Sequence, residues 1–571
     1  MSSTRAVPTH AAQPAPLDTR IRMETPEGID LLLRPAGLVP RAVAFSIDLL
    51  IRVVILALLF TLLRPFEKFG MGLGALALFL VTWWYMVLFE VLNQGRSPGK
   101  AIMGLRVIHD DGTPIGWSAS LLRNLLRFVD MLPLGYSIGA FACLQHPLFK
   151  RLGDLAAGTL VIHGDIPIKR PDLTDAEPMA APVAMTLDEQ RAILSFAERQ
   201  TALSPARTQE LATILTQPLH LVPAQAVLGL NRIARGLLGH DSTPGIRQSQ
   251  FETRHQPDWQ RFAQRLDALE RSRRTVEASE SFAADYRRIC QQLALAQERG
   301  YSSHLVDPLH QLAMRGHRQL YRHRSQLGAQ LLGFVLAGFP RLVRAEWRLV
   351  VIAGLLFFGS LVLMGALVYG FPDLVYSVVS PAQVGDMEAM YDPAARRIGQ
   401  AADRGSSEDW MMFGYYIMHN IGIGFQTFAS GLLFGLGSLF FLFFNGLMIG
   451  AVAGHLTGVG YGQTFWSFVV GHGAFELTAI ALSGAAGLKL GWALLAPGSL
   501  SRSDALRVAA RTSVRLIAGV ILFLLIAAFI EAYWSSMSWP TPLTKYLVGA
   551  ALWAAVAAYL LFAGRNAHAP D

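Results

Sequence analysis

Apolar residues fall in long uninterrupted runs, and polar residues collect between them. Two runs near the start, about 42–63 and 69–91, are separated by a short turn at 64–68. Residues 349–372 carry no charged side chain, and neither do the 66 residues from Trp410 to Phe475. A helix needs roughly 20 apolar residues to cross a bilayer. The pattern therefore predicts spans at 42–63, 69–91, 349–372, 411–428, 430–456, 464–487, 516–534 and 545–563. A weaker apolar segment at 128–148 is broken by Pro133 and several glycines, and 325–340 is too short to span, so it reads as an interfacial or buried helix. The expected fold class is all-α: a polytopic helical membrane protein with a helical cytoplasmic domain between two transmembrane modules.

The polar intervals set the boundaries. Residues 1–35 form a polar, Pro-rich tail that lacks the character of a signal peptide. A first transmembrane module covers 36–165, a helical domain 166–340, a second module 341–564, and 565–571 is a short tail. Phe251 to Gln297 is rich in Leu, Ala, Glu, Gln and Arg, with no Pro after Pro257, which favours helix. Cytoplasmic loops carry an excess of Lys and Arg. Arg96, Lys100, Arg106, Arg123 and Arg127 follow the first two spans, and seven arginines lie from Arg315 to Arg348. The helical domain is thus expected in the cytoplasm. The loop 373–409 has seven acids against three arginines and belongs outside. Six crossings in the second module return Arg502, Arg507, Arg511 and Arg515 to the basic side. Laying 411–428 along the outer face would leave those four outside. A single crossing at 128–148 would put the helical domain outside as well, so 117–160 is expected to be a re-entrant or shallow hairpin.

Composition sharpens this picture. Hydrophobic residues make up 52% and charged residues 16%, where soluble proteins carry about 25% charged. The net charge of +8 suits a basic face against anionic lipid. The arginines are spread over helices without an aromatic platform, so no nucleic-acid partner is expected. Cys143 and Cys290 are the two cysteines. They are far apart and predict neither a disulfide framework nor a Cys-based metal site.

Candidate chemistry lies in polar residues inside apolar runs, which are functional candidates by default. Arg41 and Asp48 are almost two helical turns apart and share a face, and Arg52 is within reach of Asp48. Pairing of Asp48 with Arg41 or Arg52 is the structural expectation, and a transported-cation site is the alternative. Around these residues, PRAVAFSIDLLI, GRSPGKAIMGLRVIHDDG, LLRNLLRFVD and KRLGDLAAGTLVI resemble the RDD family of bacterial membrane proteins over about 36–165. The resemblance implies that Arg41 and Asp48 are the family's first-helix pair, that Asp130 and Asp154 are its later acids, and that Arg151 is the basic residue before the latter. Some members have been linked to sodium–proton exchange.

In the second module Gly446, Gly450, Gly454 and Gly458 repeat every four residues, which lets helix backbones approach closely in lipid. His419, Asn420, Asn445, His455, His472, Glu476 and Glu531 are the polar residues of this region. His472 and Glu476 lie one turn apart on one face. They are expected either to bond each other or Asn445, or to bind a proton, a cation or a lipid headgroup. An enzyme is not expected: HxxxE offers two ligands, and a catalytic zinc needs about three protein ligands. No cofactor or metal is predicted. HNIGIGFQTFASGLLFG, FFNGLMIG, VVGHGAFELTAIALSGAAGLKLG and IAAFIEAYW resemble the stage II sporulation protein M family over about 250–535. The founding members of that family belong to a membrane complex that recruits peptidoglycan-degrading enzymes. Relatives in non-sporulating bacteria look like companions of MoxR-type ATPases and von Willebrand A-domain proteins.

Together these readings predict a non-enzymatic component or scaffold of an envelope-associated complex in the bacterial inner membrane. The bilayer is one partner. A MoxR-type ATPase, a von Willebrand A-domain protein and a second copy of the chain are the further partners to consider. The alternative is a secondary transporter or channel for a cation or small solute.

Overall fold

A computed structural model describes residues 21–565 apart from 25–29, 165–175, 178, 184, 201–202, 238–245, 272–279, 300, 302, 321–326 and 395–404. The tails at 1–20 and 566–571 lie outside the described residues. The chain divides into two compact units. The larger comprises Ala36–Asp110, Pro114–Val161 and His323–Asp571, and the smaller Met1–Pro35, Asp111–Thr113 and Ile162–Arg322.

The larger unit is a helical bundle. Among the described residues, six stretches are long and apolar enough to cross a membrane: Leu38–Leu92, Trp347–Gly370, Leu436–Gly458, Gly462–Leu495, Arg502–Ser535 and Pro542–Phe562. The first, of 55 residues, is a hairpin. Helix α1 (Leu38–Leu63) ends at Arg64–Phe66, where Pro65 sits in a single 3-10 turn and Glu67 takes φ 45°. Helix α2 (Glu67–Phe79) returns, and a π turn at Leu80–Trp84 prolongs it to Tyr85–Leu92. Gly70 and Gly74 allow the tight return. A Cβ on Gly70 would sit 2.1 Å from the Leu63 carbonyl oxygen, and one on Gly74 would meet the Phe60 ring at 2.7 Å.

Helices α3 (Trp117–Leu125) and α4 (Leu152–Ala157) bracket a segment that doubles back. Gly153 lies against the Arg123 backbone, and Gly139 against Asp130. Leu122, Leu125, Leu126 and Val129 enter the main core, while Met131, Leu134, Phe141 and Leu144 are exposed. The segment expected to be a shallow hairpin thus leaves and rejoins the bundle at the same end.

The remaining long helices of this unit are α5 (Trp347–Gly370), α6 (Ser406–Ala429), α7 (Leu436–Gly458), α8 (Gly462–Leu495), α9 (Arg502–Phe529, prolonged by a π turn at Ile530–Ser535) and α10 (Pro542–Phe562). With no water to bond backbone groups in lipid, an apolar run satisfies them internally by becoming helix. Helices α8 and α9 exceed their expected spans the most. Hydropathy marks only the lipid-embedded part, whereas α8 runs on past Lys489 and α9 begins at Arg502. Helix α6, expected as a span at 411–428, is not among the six stretches; it packs along α2. Gly414 packs on the Gly72 backbone near one end, and near the other the Phe79 and Trp83 rings lie 6.5 and 4.9 Å from that of Phe425. The core sits where α6, α8 and α9 meet, among Ile421, Phe425, Leu482, Phe523 and Leu524.

Residues 325–340 appear as Leu327–Gly333, a π turn at Phe334–Gly338 and Phe339–Ala345. This element is half-sunk. Phe339 is fully buried, and a Cβ on Gly519 would meet its ring at 2.0 Å, while Leu331, Leu332 and Leu336 stay exposed.

The smaller unit contains a two-stranded antiparallel hairpin, Ile21–Glu24 with Asp30–Leu33. Leu187–Arg199, Pro205–Ile214 and Ala226–Leu237 enclose one small core around Ile193, Ala212, Leu230 and Ile233. The expected Phe251–Gln297 helix falls in two helices, Ile246–Arg271 and Glu280–Glu298, and a third follows at Ser303–Leu320. Stacked Phe262 and Phe282 rings and an indole bond from Trp259 to Gln292 (2.6 Å) tie the first two. Arg315 joins the third to Asp267 and Glu270.

Candidate functional site

Polar side chains gather in two places inside the bundle. The first lies where α1, the end of α2, α3 and α4 meet. Asp154 accepts from Arg41 Nη2 (2.5 Å) and from Arg123 Nη2 (2.8 Å) and Nε (3.1 Å), and Arg151 Nε stands 3.6 Å away. Glu90 accepts from Arg123 Nη1 and Lys100 Nζ (2.5 Å each), from Ser120 Oγ (2.8 Å) and from Asn124 Nδ2 (3.1 Å). Asp130 faces Arg151 Nε at 3.5 Å. Burial acts to raise the Asp154 pKa, but Arg41, Arg123 and Arg151 outweigh it and hold this carboxyl well below the usual range. Asp130 has one weaker cation contact, and burial pushes it up to about 6.

Asp48 is not paired as expected. It accepts from Tyr85 (3.1 Å), Ser97 (2.5 Å) and the Gly99 backbone N–H (2.9 Å). Arg41, on the same face of α1, turns to Asp154 and to the Phe149 carbonyl. Among the described residues Arg52 bonds the Asp48 carbonyl oxygen, at 3.3 Å, and not its carboxylate. Neutral donors from the chain after α2 reach Asp48 first, and a close Gly99 leaves no room for a long side chain: a Cβ there would meet the Ala44 carbonyl oxygen at 2.1 Å.

The second cluster lies between α6, α8, α9 and α10. His472 and Glu476 of α8 are 3.8 Å apart (Nε2 to Oε2). The other imidazole nitrogen, Nδ1, is 3.0 Å from Ser535 Oγ. Glu531 enters from α9, and Asn420 of α6 donates to it at 3.3 Å. One ligand atom from each of His472, Glu476 and Glu531 lies within 4.8 Å of the other two. Lys545 of α10 donates to the Ser535 and Met537 carbonyls at 2.9 and 2.7 Å. Two carboxylates this close in an apolar surround repel each other, and a shared proton or a cation between them relieves the repulsion. The three residues are of the type and spacing that could hold such a cation.

Residues 35–158 match the RDD family and residues 353–536 match Stage II sporulation protein M. The chain joins an RDD domain to a stage II sporulation protein M domain. Residues 249–322 match a domain of unknown function (DUF8413), which takes in Glu280–Glu298, Ser303–Leu320 and most of Ile246–Arg271, while the sporulation-M match begins at 353 rather than near 250. No curated protein and no solved structure matches the chain.

In the RDD domain, Arg41, Asp130 and Asp154 come together around Arg151, and Asp48 stands apart with its own donors. In the sporulation-M domain, Asn420, His472, Glu476 and Glu531 come together. The other candidates do not join them. His455 pairs with Glu388 at 2.7 Å, Asn445 donates to the Phe441 carbonyl of its own helix, and His419 stacks on Tyr415 with centroids 5.5 Å apart. Sequence reasoning passed over Glu90, Ser535 and Lys545. Glu90 was findable as an acid at the end of an apolar run. Ser535 and Lys545 gave no such signal, since their roles come from tertiary contact.

Proposed function

We propose that this protein is a non-enzymatic scaffold of a bacterial envelope complex, embedded in the inner membrane with its DUF8413-containing region in the cytoplasm. The observation that carries this reading is the join between its two membrane domains. Gly414 of α6 rests on the backbone of Gly72 in α2: a Cβ at either position would fall 2.3 or 2.6 Å from the facing carbonyl oxygen. Backbone contact of this kind fixes two helices in one register, as a platform for partners requires. The resemblance to companions of MoxR-type ATPases and von Willebrand A-domain proteins suggests the partner class. Cross-linking in native membranes, followed by purification of the full chain, tests this. A stoichiometric ATPase or A-domain partner, with ion flux in reconstituted vesicles no greater than in empty ones, is expected. Flux well above background and no such partner would reject the scaffold.

The second reading, a cation-coupled transporter, is favoured by the convergence of His472, Glu476 and Glu531. Under it, vesicles containing the parent protein dissipate a sodium or proton gradient, and Glu476→Gln abolishes this while remaining folded.

A further inference from the structure

Beside the RDD charge cluster lies a cavity of about 510 Å³. Its wall carries five cations, Arg41, Lys100, Arg123, Arg127 and Arg151, and one acid, Asp48. We infer that this cavity is a binding site for a phosphate-bearing anion, entered sideways from the lipid.

The charge balance is the first argument. Glu90, Asp130 and Asp154 stand close behind the wall and engage Arg41, Lys100, Arg123 and Arg151. Arg127 has no carboxylate within ion-pair distance among the described residues; its Nη2 donates to the Thr82 carbonyl at 3.2 Å. Yet Arg127 is 7% exposed. Arg52, 8% exposed and packed over the Phe45 and Tyr85 rings, is in the same state, and its Nη2 has no hydrogen-bond partner among the described residues. A buried guanidinium without a counter-anion is costly, and a planar fork of donors fits phosphate oxygens. Arg127 lines the cavity, so an anion there would supply the missing charge.

The second argument is the mouth. Leu49 and Met131 line the cavity and are also 45% and 47% exposed, so the opening is apolar and faces the surroundings of the bundle. Val53 and Leu134, at 54% and 80% exposed, extend that apolar surface. A headgroup phosphate could sit against Arg127 while acyl chains leave past these residues. A free phosphate would use the same cations and none of the apolar mouth.

The test uses the full chain in phosphatidylcholine nanodiscs doped with phosphatidylglycerol, with bound lipid counted by native mass spectrometry. One retained phosphatidylglycerol is expected, reduced at least tenfold in Arg127→Gln. Ala140→Phe fills the cavity without touching charge and should lose the lipid as well, which guards against misfolding of the arginine variant. A parallel titration with inorganic phosphate separates the sources. Phosphate that displaces the lipid, or binds in its absence and is lost in both variants, supports a free-anion site. Retention of neither ligand by the parent, or equal retention in parent and both variants, overturns the inference.

Discussion

Replacing Gly450 by Ala tests the packing of α7 on α5. A Cβ at this position would lie 2.3 Å from the Leu361 carbonyl oxygen, where ordinary contact begins at 3.4 Å. The two helices would have to part locally by about 1 Å, a gap that forfeits up to about half of the dispersion well for each contact affected. Overpacking of this kind costs about 1–3 kcal/mol. The facing atom is backbone and cannot swing aside, so the upper part of that range, about 2–3 kcal/mol, applies; Ala returns about 1 kcal/mol over Gly in a helix interior, so a net loss of about 1–2 kcal/mol is expected. Gly458 is the control, one further step along the same glycine series. Its Cβ would meet nothing nearer than the Tyr369 ring at 3.8 Å, so Gly458→Ala should be neutral or slightly stabilising. Unfolding of the full chain in mixed micelles by SDS titration, followed by circular dichroism, gives both values. If Gly450→Ala is as stable as the parent, or if Gly458→Ala costs as much, the backbone contact does not hold α5 to α7.

Asp154→Asn should destabilise by about 3–5 kcal/mol, because it leaves buried Arg41 and Arg123 without their carboxylate; the same titration measures it. Asp130 contributes with the opposite pH sign. Its folded pKa of about 6 lies above the ordinary carboxylate value, so its contribution is full at low pH and is lost as pH rises from about 4 to about 6. Melting curves across that window should show Asp130→Asn lacking this decline, and a parallel decline in the variant refutes the assignment. The exposed Lys68–Glu408 pair, at 3.2 Å, should contribute less than about 1 kcal/mol, so Lys68→Gln should melt within a few degrees of the parent at physiological salt. Lys545→Met removes the donor to the Ser535 and Met537 carbonyls. The expected loss is about 1–3 kcal/mol from the orphaned acceptors, read by the same titration, and full stability would show that water replaces the ammonium.

The helices were legible because lipid forces an apolar run to bond its own backbone, and the α1–α2 reversal was legible in the short break at 64–68 between two apolar runs. The glycine steps of α7 were visible too, yet spacing alone could not say that Gly450 meets a carbonyl and Gly458 almost nothing. Periodicity places residues on a face of one helix and says nothing of what arrives from elsewhere. It put Arg41 beside Asp48, whereas Ser97 and Gly99, 49 and 51 positions on, take the carboxylate. Glu531 and Ser535 lie in the π turn at Ile530–Ser535. That turn departs from the 3.6-residue wheel, so a regular projection of α9 loses its register there.

An ionisable group in a membrane helix is read as functional by default, and this chain shows how its surroundings refine that reading. Asp154 lies within the RDD match, but arginines from α1 and α3 bond it directly and Arg151 stands near, so its charge is matched by cations that tie distant parts of the chain together. Glu476 has no hydrogen-bond partner among the described residues. Its nearest polar neighbours are an imidazole at 3.8 Å and a second acid within 4.8 Å. Neutralising Asp154 leaves cations stranded, whereas neutralising Glu476 removes a repulsion. Their amide variants should therefore move stability in opposite directions, and Glu476→Gln, if it stabilises the bundle, marks the site where the parent protein keeps an unsatisfied charge that a proton or cation can meet.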